Sequence, residues 1–441
     1  MGEGENPAVS KGDIRNGAIV RFIAFSGIGA IAFFVPLEIA GRSTIAIDHL
    51  VTLITSEAPF FGNLFVVLLI LWGIAAPFWA KTWKRNATNA VLSLLQLLAV
   101  PLAVMYLAGH GPGIIMAPDV LPFLFEKLAV PVGLVIPIGA IFLTFLIGFG
   151  LLEAIGVFME PIMRPVFKTP GRSAIDAVAS FAGSYSIGLL ITSRVYKSGM
   201  YSAKEAAIIA TGFSTVSATF MVIVAKTLSL SESWNAYFFG TLLVTFLVTA
   251  ITVRLPPLSG LNNQRPGDGR TVAPNSSSLQ AAWEAGLKVA RDSPELGPLL
   301  KENLLDGLVM ASRVVPSILS IGFLGLMAAK FTPVFDLLGL LFAPALWLFF
   351  PDNSAEVAGI LASGLAEMFL PSVQAATLDP SIRFVVGVVS VSSVLFLSAS
   401  IPCVLATGIP LSFGQLIVIW ALRTILSIPL AVGIGHLFGT I

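Results

Sequence analysis

The sequence predicts an all-α integral membrane protein, with about nine transmembrane helices and two re-entrant hairpins in an inverted-topology repeat. Of its 441 residues, 56% are hydrophobic and only 11% are charged, whereas a soluble domain carries about 25% charged residues. Long uncharged stretches recur along the chain, and a helix needs roughly 20 apolar residues to cross the hydrocarbon. Two further apolar segments resemble each other but have opposite charges beside them.

The uncharged stretches give the predicted spans in order. Those before a polar connection are Phe22–Leu37 (extended back through Gly17–Val20), Ala58–Ala80, Asn86–Gly109, Leu128–Leu152, Ala206–Ala225 and Ser233–Val253. The connection, residues 255–300, is rich in Pro, Gly, Asn and Ser, as linkers are, and a short surface helix is predicted at Leu279–Ala290. The spans after it are Val314–Ala329 (preceded by Leu304–Ser312), Phe384–Leu422 with a break at Pro402 and Pro410, and a last helix from Leu411 to Leu437.

Two apolar segments fit a full span poorly, and we expect them to enter the membrane and turn back. Ala177–Ser193 has Gly and Ser near its middle, and Val357–Leu378 is interrupted by Glu367 and Pro371. Non-helical backbone is tolerated at membrane depth inside protein or beside a water-filled cavity. Lys and Arg concentrate in cytoplasmic loops, and those around the first segment favour a cytoplasmic hairpin. A full crossing by either segment is the alternative.

An offset of about 180 residues relates the two halves of the chain. The aligned runs are FMEPIM (158–163) with LFAPAL (341–346), VASFAGSYS (178–186) with ILASGLAEM (360–368), and GFSTVSATF (212–220) with VSVSSVLFL (389–397). Residues 164–204 contain six cations and one acid, whereas residues 347–387 contain one cation and four acids. Similar units of opposite orientation are an inverted-topology repeat, common in transporters. The alternative is that apolar helix bundles look alike by composition alone.

The predicted organisation has five parts. They are a cytoplasmic N-terminal tail (1–21), N-terminal transmembrane helices (22–127), a first repeat (128–254), a cytoplasmic linker (255–300) and a second repeat (301–441). The tail mixes acids with bases, so it is not the basic n-region of a signal peptide, and the first apolar run is predicted to be a retained span. We expect a multi-pass protein of the cytoplasmic (inner) membrane with its N-terminus in the cytoplasm.

Motifs for catalysis are missing from the sequence. It contains no G-x-x-x-x-G-K-[ST] for ATP and no H-E-x-x-H for zinc. Its three histidines are far apart, and Cys403 is the only cysteine. We therefore expect no enzyme, no cofactor and no metal site, with transport driven by a coupling ion, Na⁺ or H⁺, or by diffusion. A net charge of +1 without a basic run predicts no nucleic-acid partner.

Glu367 is the foremost candidate for a binding residue. An acid within a membrane segment is costly and is by default a functional hypothesis; the alternative is a wet external loop. Arg423 lies about 12 residues into the last span, near mid-depth at about 1.5 Å per residue, and must pair or reach water. Glu367 or a substrate carboxylate is its expected partner.

Hydroxyl side chains are the other candidates for substrate or ion binding. In the first hairpin they are Ser180, Ser184, Tyr185 and Ser186, and in the aligned runs they are Ser214, Ser217, Ser392 and Ser393. Such groups hydrogen-bond a polar solute, and helix N-termini beside them favour anionic groups. The alternative is that small residues allow close helix packing, as they commonly do in membranes.

The stretch GSYSIGLLITSRVYKSGMYSAKEAAIIATGFSTVSATFMVIVAKTL, residues 183–228, resembles YjiH-like membrane proteins that carry the Gate, or nucleoside-recognition, domain. GFSTVSATF is the most specific part, and the resemblance covers residues 120–440. The same domain is named in concentrative nucleoside transporters, in ferrous-iron transport proteins and in spore-maturation membrane proteins. The resemblance implies a transporter-like core with two re-entrant hairpins and discontinuous helices around a midplane site. Of the residues that contact base and ribose in concentrative transporters, only Glu367 has a counterpart at a comparable position.

These observations predict a secondary transporter or permease for a small polar solute in the lipid bilayer, and the resemblance implies a nucleoside or nucleobase. An amino-acid or peptide solute and a metal-ion pathway stay open. So does a non-transporting scaffold or permease subunit that needs a partner chain. Either a homo-oligomer or a second membrane subunit is compatible with the sequence.

Overall fold

The computed structural model describes residues 11–39, 41–84, 87–182, 184–266 and 279–440. Outside the described residues lie positions 1–10 of the predicted tail, 40, 85–86 at the start of a predicted span, 183 in the first predicted hairpin, 267–278 of the predicted linker, and 441. Within the described part, five helices are long and apolar enough to cross a membrane: Pro59–Trp79, Phe123–Ile147, Trp234–Thr252, Leu296–Phe331 and Phe413–Leu437. The chain is thus an all-α, multi-pass membrane protein, and nine spans stay a prediction.

The N-terminal part combines helices with one short hairpin of strands. Its elements are α1 (Lys11–Phe34), β1 (Pro36–Ile39), β2 (Arg42–Ile45), α2 (Ala46–Glu57), α3 (Pro59–Trp79), a 3₁₀ turn (Thr82–Lys84), α4 (Ala87–Gln96) and α5 (Ala99–Ala108). The antiparallel strands place Leu37 opposite Thr44. The sequence analysis missed this hairpin, in which Gly41 at φ +73° adopts the left-handed conformation of a tight turn.

The span predicted at Asn86–Gly109 is two helices, α4 and α5, in its described part. The ring of Pro101 removes the backbone N–H that would bond to the carbonyl of Leu97 in a continuous helix. The chain instead tightens, with Leu97 N donating to Leu94 O at 3.2 Å and Leu98 N donating to Leu95 O at 3.1 Å. The α-helical hydrogen-bond pattern is therefore interrupted within this apolar stretch.

Two series of helices, called here the first and the second unit, lie on either side of a connecting segment. The first unit has a π-helical stretch (Phe123–Ala129), α6 (Val130–Ile147), α7 (Leu151–Phe167), α8 (Ser173–Ala182), α9 (Tyr185–Lys197), α10 (Ala203–Gly212), α11 (Ala218–Thr227) and α12 (Trp234–Thr252). A 3₁₀ turn (Leu258–Gly260) and α13 (Leu279–Asp292) connect it to the second. The second unit has α14 (Leu296–Ser317), a π-helical stretch (Ile318–Gly322), α15 (Phe323–Phe331), α16 (Val334–Gly339), α17 (Ala343–Trp347), α18 (Ser354–Ser363), α19 (Leu370–Gln374), α20 (Pro380–Ser392), α21 (Ser400–Ala406) and α22 (Phe413–Leu437).

Each unit contains a pair of short helices followed by an interrupted helix. The pairs are α8–α9 and α18–α19, and the interrupted helices are α10–α11 and α20–α21. The predicted span Ala206–Ala225 is therefore broken in its middle. In Phe384–Leu422 the first break precedes Pro402, which lies inside α21, whereas Pro410 lies in the loop before α22.

The two units contact each other where α6 packs against α14 and where α12 packs against α22. The predicted short surface helix is present as α13, which packs against α1 and α7 with the rings of Phe22 and Trp283 5.2 Å apart. The five-part division of the chain and the cytoplasmic placement of the linker stay predictions.

Candidate functional site

The two short helix pairs and the two helix breaks surround one cavity of about 170 Å³. Hydroxyl groups line it at Ser184, Tyr185, Ser186 and Ser217. Ionisable groups line it at Asp48, Lys127 and Glu367, and the remaining wall is apolar, with Phe123, Phe220 and Phe396 among its residues. A small, mostly apolar cavity with a few convergent polar groups is the usual form of a small-molecule site.

The start of α9 supplies three of the hydroxyls. Ser184 has an extended backbone and caps the helix, its Oγ accepting from Ile187 N at 3.4 Å. Its Oγ also lies 2.8 Å from that of Ser186. Tyr185 is 7% exposed, and its hydroxyl has no hydrogen-bond partner among the described residues. The first N–H groups of a helix lack intrahelical acceptors, so this helix end offers polar groups to a solute.

The close approach of α8 to α9 explains the place of Ser180. Its Oγ donates to the carbonyl of Asp176 at 2.9 Å, and the residue is fully buried. A Cβ atom at Gly188 on α9 would lie 1.7 Å from that oxygen, so only glycine fits at this crossing. Ser180 belongs to the helix contact and is not among the residues that line the cavity.

Glu367 lies between α18 and α19 and is 3% exposed, which rules out a wet external loop. Its Oε2 accepts from Phe369 N at 2.6 Å and from Leu370 N at 3.1 Å. The neighbouring backbone bonds to the second helix break, because Leu397 N donates to Leu365 O at 2.6 Å. A carboxylate that accepts N–H bonds keeps its position without a cation, which leaves its charge facing the cavity.

The break between α10 and α11 brings one predicted serine to the cavity and leaves another outside. Ser217 caps α11, its Oγ accepting from Phe220 N at 3.3 Å, and it lines the cavity. Ser214 is 2% exposed, and its Oγ has no hydrogen-bond partner among the described residues. It is not one of the lining residues.

Arg423 forms a separate buried cluster and does not have the partner that we expected. In the described part of the chain it makes no ion pair with Glu367. Its Nε and Nη2 donate to the Ser392 carbonyl at 3.1 and 2.8 Å, and its Nη1 donates to Thr249 Oγ1 at 3.0 Å. That hydroxyl also lies 3.0 Å from the carbonyl oxygen of Gly212.

The partners of Arg423 explain why a fully buried cation is tolerated. Gly212 and Ser392 are the last residues of α10 and α20. The last carbonyls of a helix lack intrahelical donors and carry partial negative charge. Arg423 thus bonds directly to the end of α20, and its partner Thr249 lies near the end of α10, with its hydroxyl 3.0 Å from Gly212 O and 2.7 Å from Thr245 O.

The other predicted serines of the second unit lie in this cluster. Ser392 Oγ is 3.4 Å from Thr241 O and 3.2 Å from Thr245 Oγ1. Ser393 Oγ donates to Ser390 O at 2.8 Å. The structure therefore brings five predicted residues together at the cavity and five elsewhere, and their contact with a solute stays a prediction.

Sequence reasoning missed two ionisable groups of the cavity, Asp48 and Lys127. Asp48 is on α2, outside the predicted hairpins, and its Oδ2 accepts from Thr44 Oγ1 at 3.0 Å. Burial raises the pKa of Asp48 to about 6, while the hydrogen bond from Thr44 and the charge of His49 act in the opposite direction. The available signal was an acid within the apolar run before the second span.

Asp176, on α8, is an acid buried away from the cavity and is 1% exposed. It accepts hydrogen bonds from Thr192 Oγ1 and from the Tyr201 hydroxyl, both at 2.6 Å. The carboxylate thus joins α8 to α9 and to the segment before α10. These bonds give it a structural role within the first unit.

The interrupted helices of this predominantly helical membrane protein thus enclose a mostly apolar cavity with a few polar groups on its wall. Residues 129–231 match the Gate family model, described as nucleoside recognition. The chain is 28% identical over 445 residues to an uncharacterized protein of Alkalihalophilus pseudofirmus, covering 95% of this chain and 94% of that one. It is 36% identical over 61 residues to sporulation integral membrane protein YlbJ of Bacillus subtilis, covering 14% and 15% of the two chains. No solved structure matches the chain.

Proposed function

We propose that the protein is a secondary transporter or permease that binds a small polar solute in the central cavity. The observation that carries the proposal is the convergence of Ser184–Ser186, Ser217 and Glu367 on one cavity from three separate interruptions of helical structure. Gate-domain proteins are typically membrane permeases or transporters. Interrupted helices around a central site are common in transporters, because their free backbone groups coordinate substrates and ions.

In this proposal the two short helix pairs are re-entrant hairpins of an inverted repeat, with the N-terminus in the cytoplasm. What supports it is length: the 10 residues of α8 and the 13 of α9 extend about 15 and 20 Å at 1.5 Å per residue. Both are shorter than the hydrocarbon core of about 30 Å. The opposite charges around the two pairs support entry from opposite sides.

The cavity would open and close on alternate sides of the membrane. Lys127 on its wall is exposed, so this conformation is open at that end. In the last turn of α9, Arg194 pairs with Asp306 at 2.5 Å and with Glu302 at 2.8 Å on α14. Release towards that side would need these ion pairs to separate. For transport of the solute against its concentration gradient, the proposal includes a coupling ion, Na⁺ or H⁺.

The cavity volume bears on the identity of the solute. An apolar cavity of about 150 Å³ holds one benzene molecule, so about 170 Å³ accommodates a nucleobase but not the sugar of a nucleoside as well. A nucleobase therefore fits this conformation better than a nucleoside. An amino-acid-like solute is the second candidate, favoured by the presence of both carboxylates and an ammonium group on the wall.

The test compares Glu367→Gln with the wild type in detergent and in liposomes. Nucleobases, nucleosides and amino acids are screened for a rise in Tm, and each ligand found is tested for uptake by the protein alone. Gln retains an oxygen that accepts from Phe369 and Leu370, so the variant should fold but lose the ligand response. Glu356→Gln, on the exposed part of α18, is the matched control. A full ligand response in Glu367→Gln would contradict the site, and uptake only with a second chain would favour a subunit role.

A further inference from the structure

Asp48 extends the cavity beyond the two repeated units. It is on α2, which precedes both units and lies outside the matched residues 129–231. Helix α2 packs against α6, with Ile47 fully buried and Val51 7% exposed. Because Val51 and Asp48 both line the cavity, the N-terminal part of the chain completes its wall.

The ionisable groups of the wall differ in depth. Lys127 is exposed, Asp48 is half-buried, and Glu367 is buried. Among the described residues none of the three forms an ion pair. Two carboxylates therefore face a cavity that has one ammonium group, and that group is at the exposed end.

Two polar atoms on the cavity wall have no hydrogen-bond partner among the described residues. Thr44 donates to Oδ2 of Asp48, whereas Oδ1 accepts no hydrogen bond from the described residues. The hydroxyl of Tyr185, on the same wall and more than nine-tenths buried, has no partner in the part of the chain that the structure describes. Buried polar groups are normally hydrogen-bonded, so the Tyr185 hydroxyl indicates a missing partner in the cavity, and Oδ1 of the half-buried Asp48 is able to accept a further hydrogen bond.

We propose that Asp48 and Glu367 together select a solute that carries a protonated amine, with the Tyr185 hydroxyl as an additional partner. This inference rests on the proposed function, because it assigns the chemical class of solute for the same cavity. A desolvated ammonium group needs a negative partner, and both carboxylates line the cavity that would hold it. An acidic group on the same solute would face Lys127.

The experiment uses three probes of nearly equal size: benzylamine, benzyl alcohol and benzoate. Their dissociation constants are measured at pH 7.5 on the full-length protein in detergent, for the wild type, Asp48→Asn and Glu57→Gln. Asn can still accept from Thr44, so Asp48→Asn should fold. Glu57 is exposed at the end of the same helix and serves as the matched control.

We expect the wild type to bind benzylamine most tightly, and Asp48→Asn to bind it about tenfold more weakly, equivalent to about 1.4 kcal/mol. Glu57→Gln should match the wild type. Equal affinity for benzylamine and benzyl alcohol, tighter binding of benzoate, or an unchanged benzylamine affinity in Asp48→Asn would overturn the inference.

A further variant separates failure of this inference from failure of the proposed function. Val51→Trp places a bulky ring in the cavity, and its folding is followed by size-exclusion chromatography. Neutral nucleobases could bind the wild type but fail to bind both Val51→Trp and Glu367→Gln. In that case the cavity is a solute site, but the selection of an amine is wrong. If no solute of either set binds the wild type, the proposed function itself fails.

Discussion

At the scale of single residues, Asp48 links the pH of the solution to stability. Burial raises its pKa to about 6, compared with about 3.9 for an unperturbed Asp. The folded protein therefore binds this proton more tightly than the unfolded chain does. Stability then falls as pH rises between these two pKa values, because the carboxylate must ionise in a desolvated position.

Asp48→Asn should consequently raise the Tm above pH 6, and the gain should disappear as pH falls towards 4. The neutral amide has no ionisation step, so the difference between variant and wild type isolates Asp48 from the other titrating groups. Melting curves between pH 4 and pH 8 measure it, with Glu57→Gln as the control. A gain that does not change with pH would show that the carboxylate is not desolvated.

Arg423 should contribute to stability rather than to solute binding. Arg423→Gln removes the charged hydrogen bonds to Ser392 O and Thr249, each worth about 1.5–3 kcal/mol before the cost of burying the cation is subtracted. We expect a lower Tm with ligand affinity retained. Since Arg423 and Glu367 share no hydrogen bond or ion pair in the described chain, Arg423→Gln with Glu367→Gln should give additive losses. Recovery of stability in the double variant would reveal a pair that the structure does not contain.

At the scale of elements, the contact between α8 and α9 depends on Gly188. A Cβ atom there would lie 3.0 Å from Cβ of Ser180 and 3.2 Å from the Asp176 carbonyl oxygen, in addition to its overlap with Ser180 Oγ. Overfilling a close-packed site costs about 1–3 kcal/mol. We expect Gly188→Ala to destabilise the protein by an amount in this range, measured by thermal unfolding in detergent.

Two comparisons make the Gly188 prediction specific. Ser180→Ala combined with Gly188→Ala should recover part of the loss, because it removes the hydroxyl that overlaps. Gly433→Ala in α22 has no atom within 4 Å of the new Cβ and should be neutral or slightly stabilising. Equal effects of Gly188→Ala and Gly433→Ala would mean that helix propensity, rather than the helix contact, determines the result.

The elements also show what the sequence could predict. Apolar runs such as Ala58–Ala80 and Ser233–Val253 gave the long helices, because their hydrophobicity is a property of each residue. The interruption between α10 and α11 lies inside an equally apolar run, and bonds that are remote in sequence accompany it, such as the one from Thr249 towards Gly212 O. The Gate resemblance indicated discontinuous helices but not their limits.

The candidate site was also predictable only in part, because single residues can be recognised in the sequence but contacts between remote residues cannot. Glu367 and Ser184 stood out because a polar group in an apolar segment is costly wherever it points. Asp48 did not, because only the contact of α2 with α6 decides that its side chain faces the cavity. Arg423 was found as a buried cation but was assigned the wrong partner, since backbone carbonyls at helix ends have no signature in the sequence.

At the scale of the whole molecule, the two helix pairs should be accessible from opposite sides. With Cys403 replaced by Ser, a single cysteine at Ser198, after α9, should react with a membrane-impermeant maleimide only in permeabilised cells. A single cysteine at Asn353, before α18, should react in intact cells. Labelling of both cysteines from one side would exclude an inverted repeat. The two units would then have the same orientation in the membrane.

The guanidinium of Arg423 has a mechanical consequence for any such molecule. Its planar fork bonds to the Ser392 carbonyl at the end of α20 and to Thr249 on α12, so one side chain of α22 links helices from both units. Hydrogen bonds weaken steeply when their geometry is distorted. We therefore expect any movement that changes access to the cavity to leave these three helices together and to displace the short helix pairs relative to them.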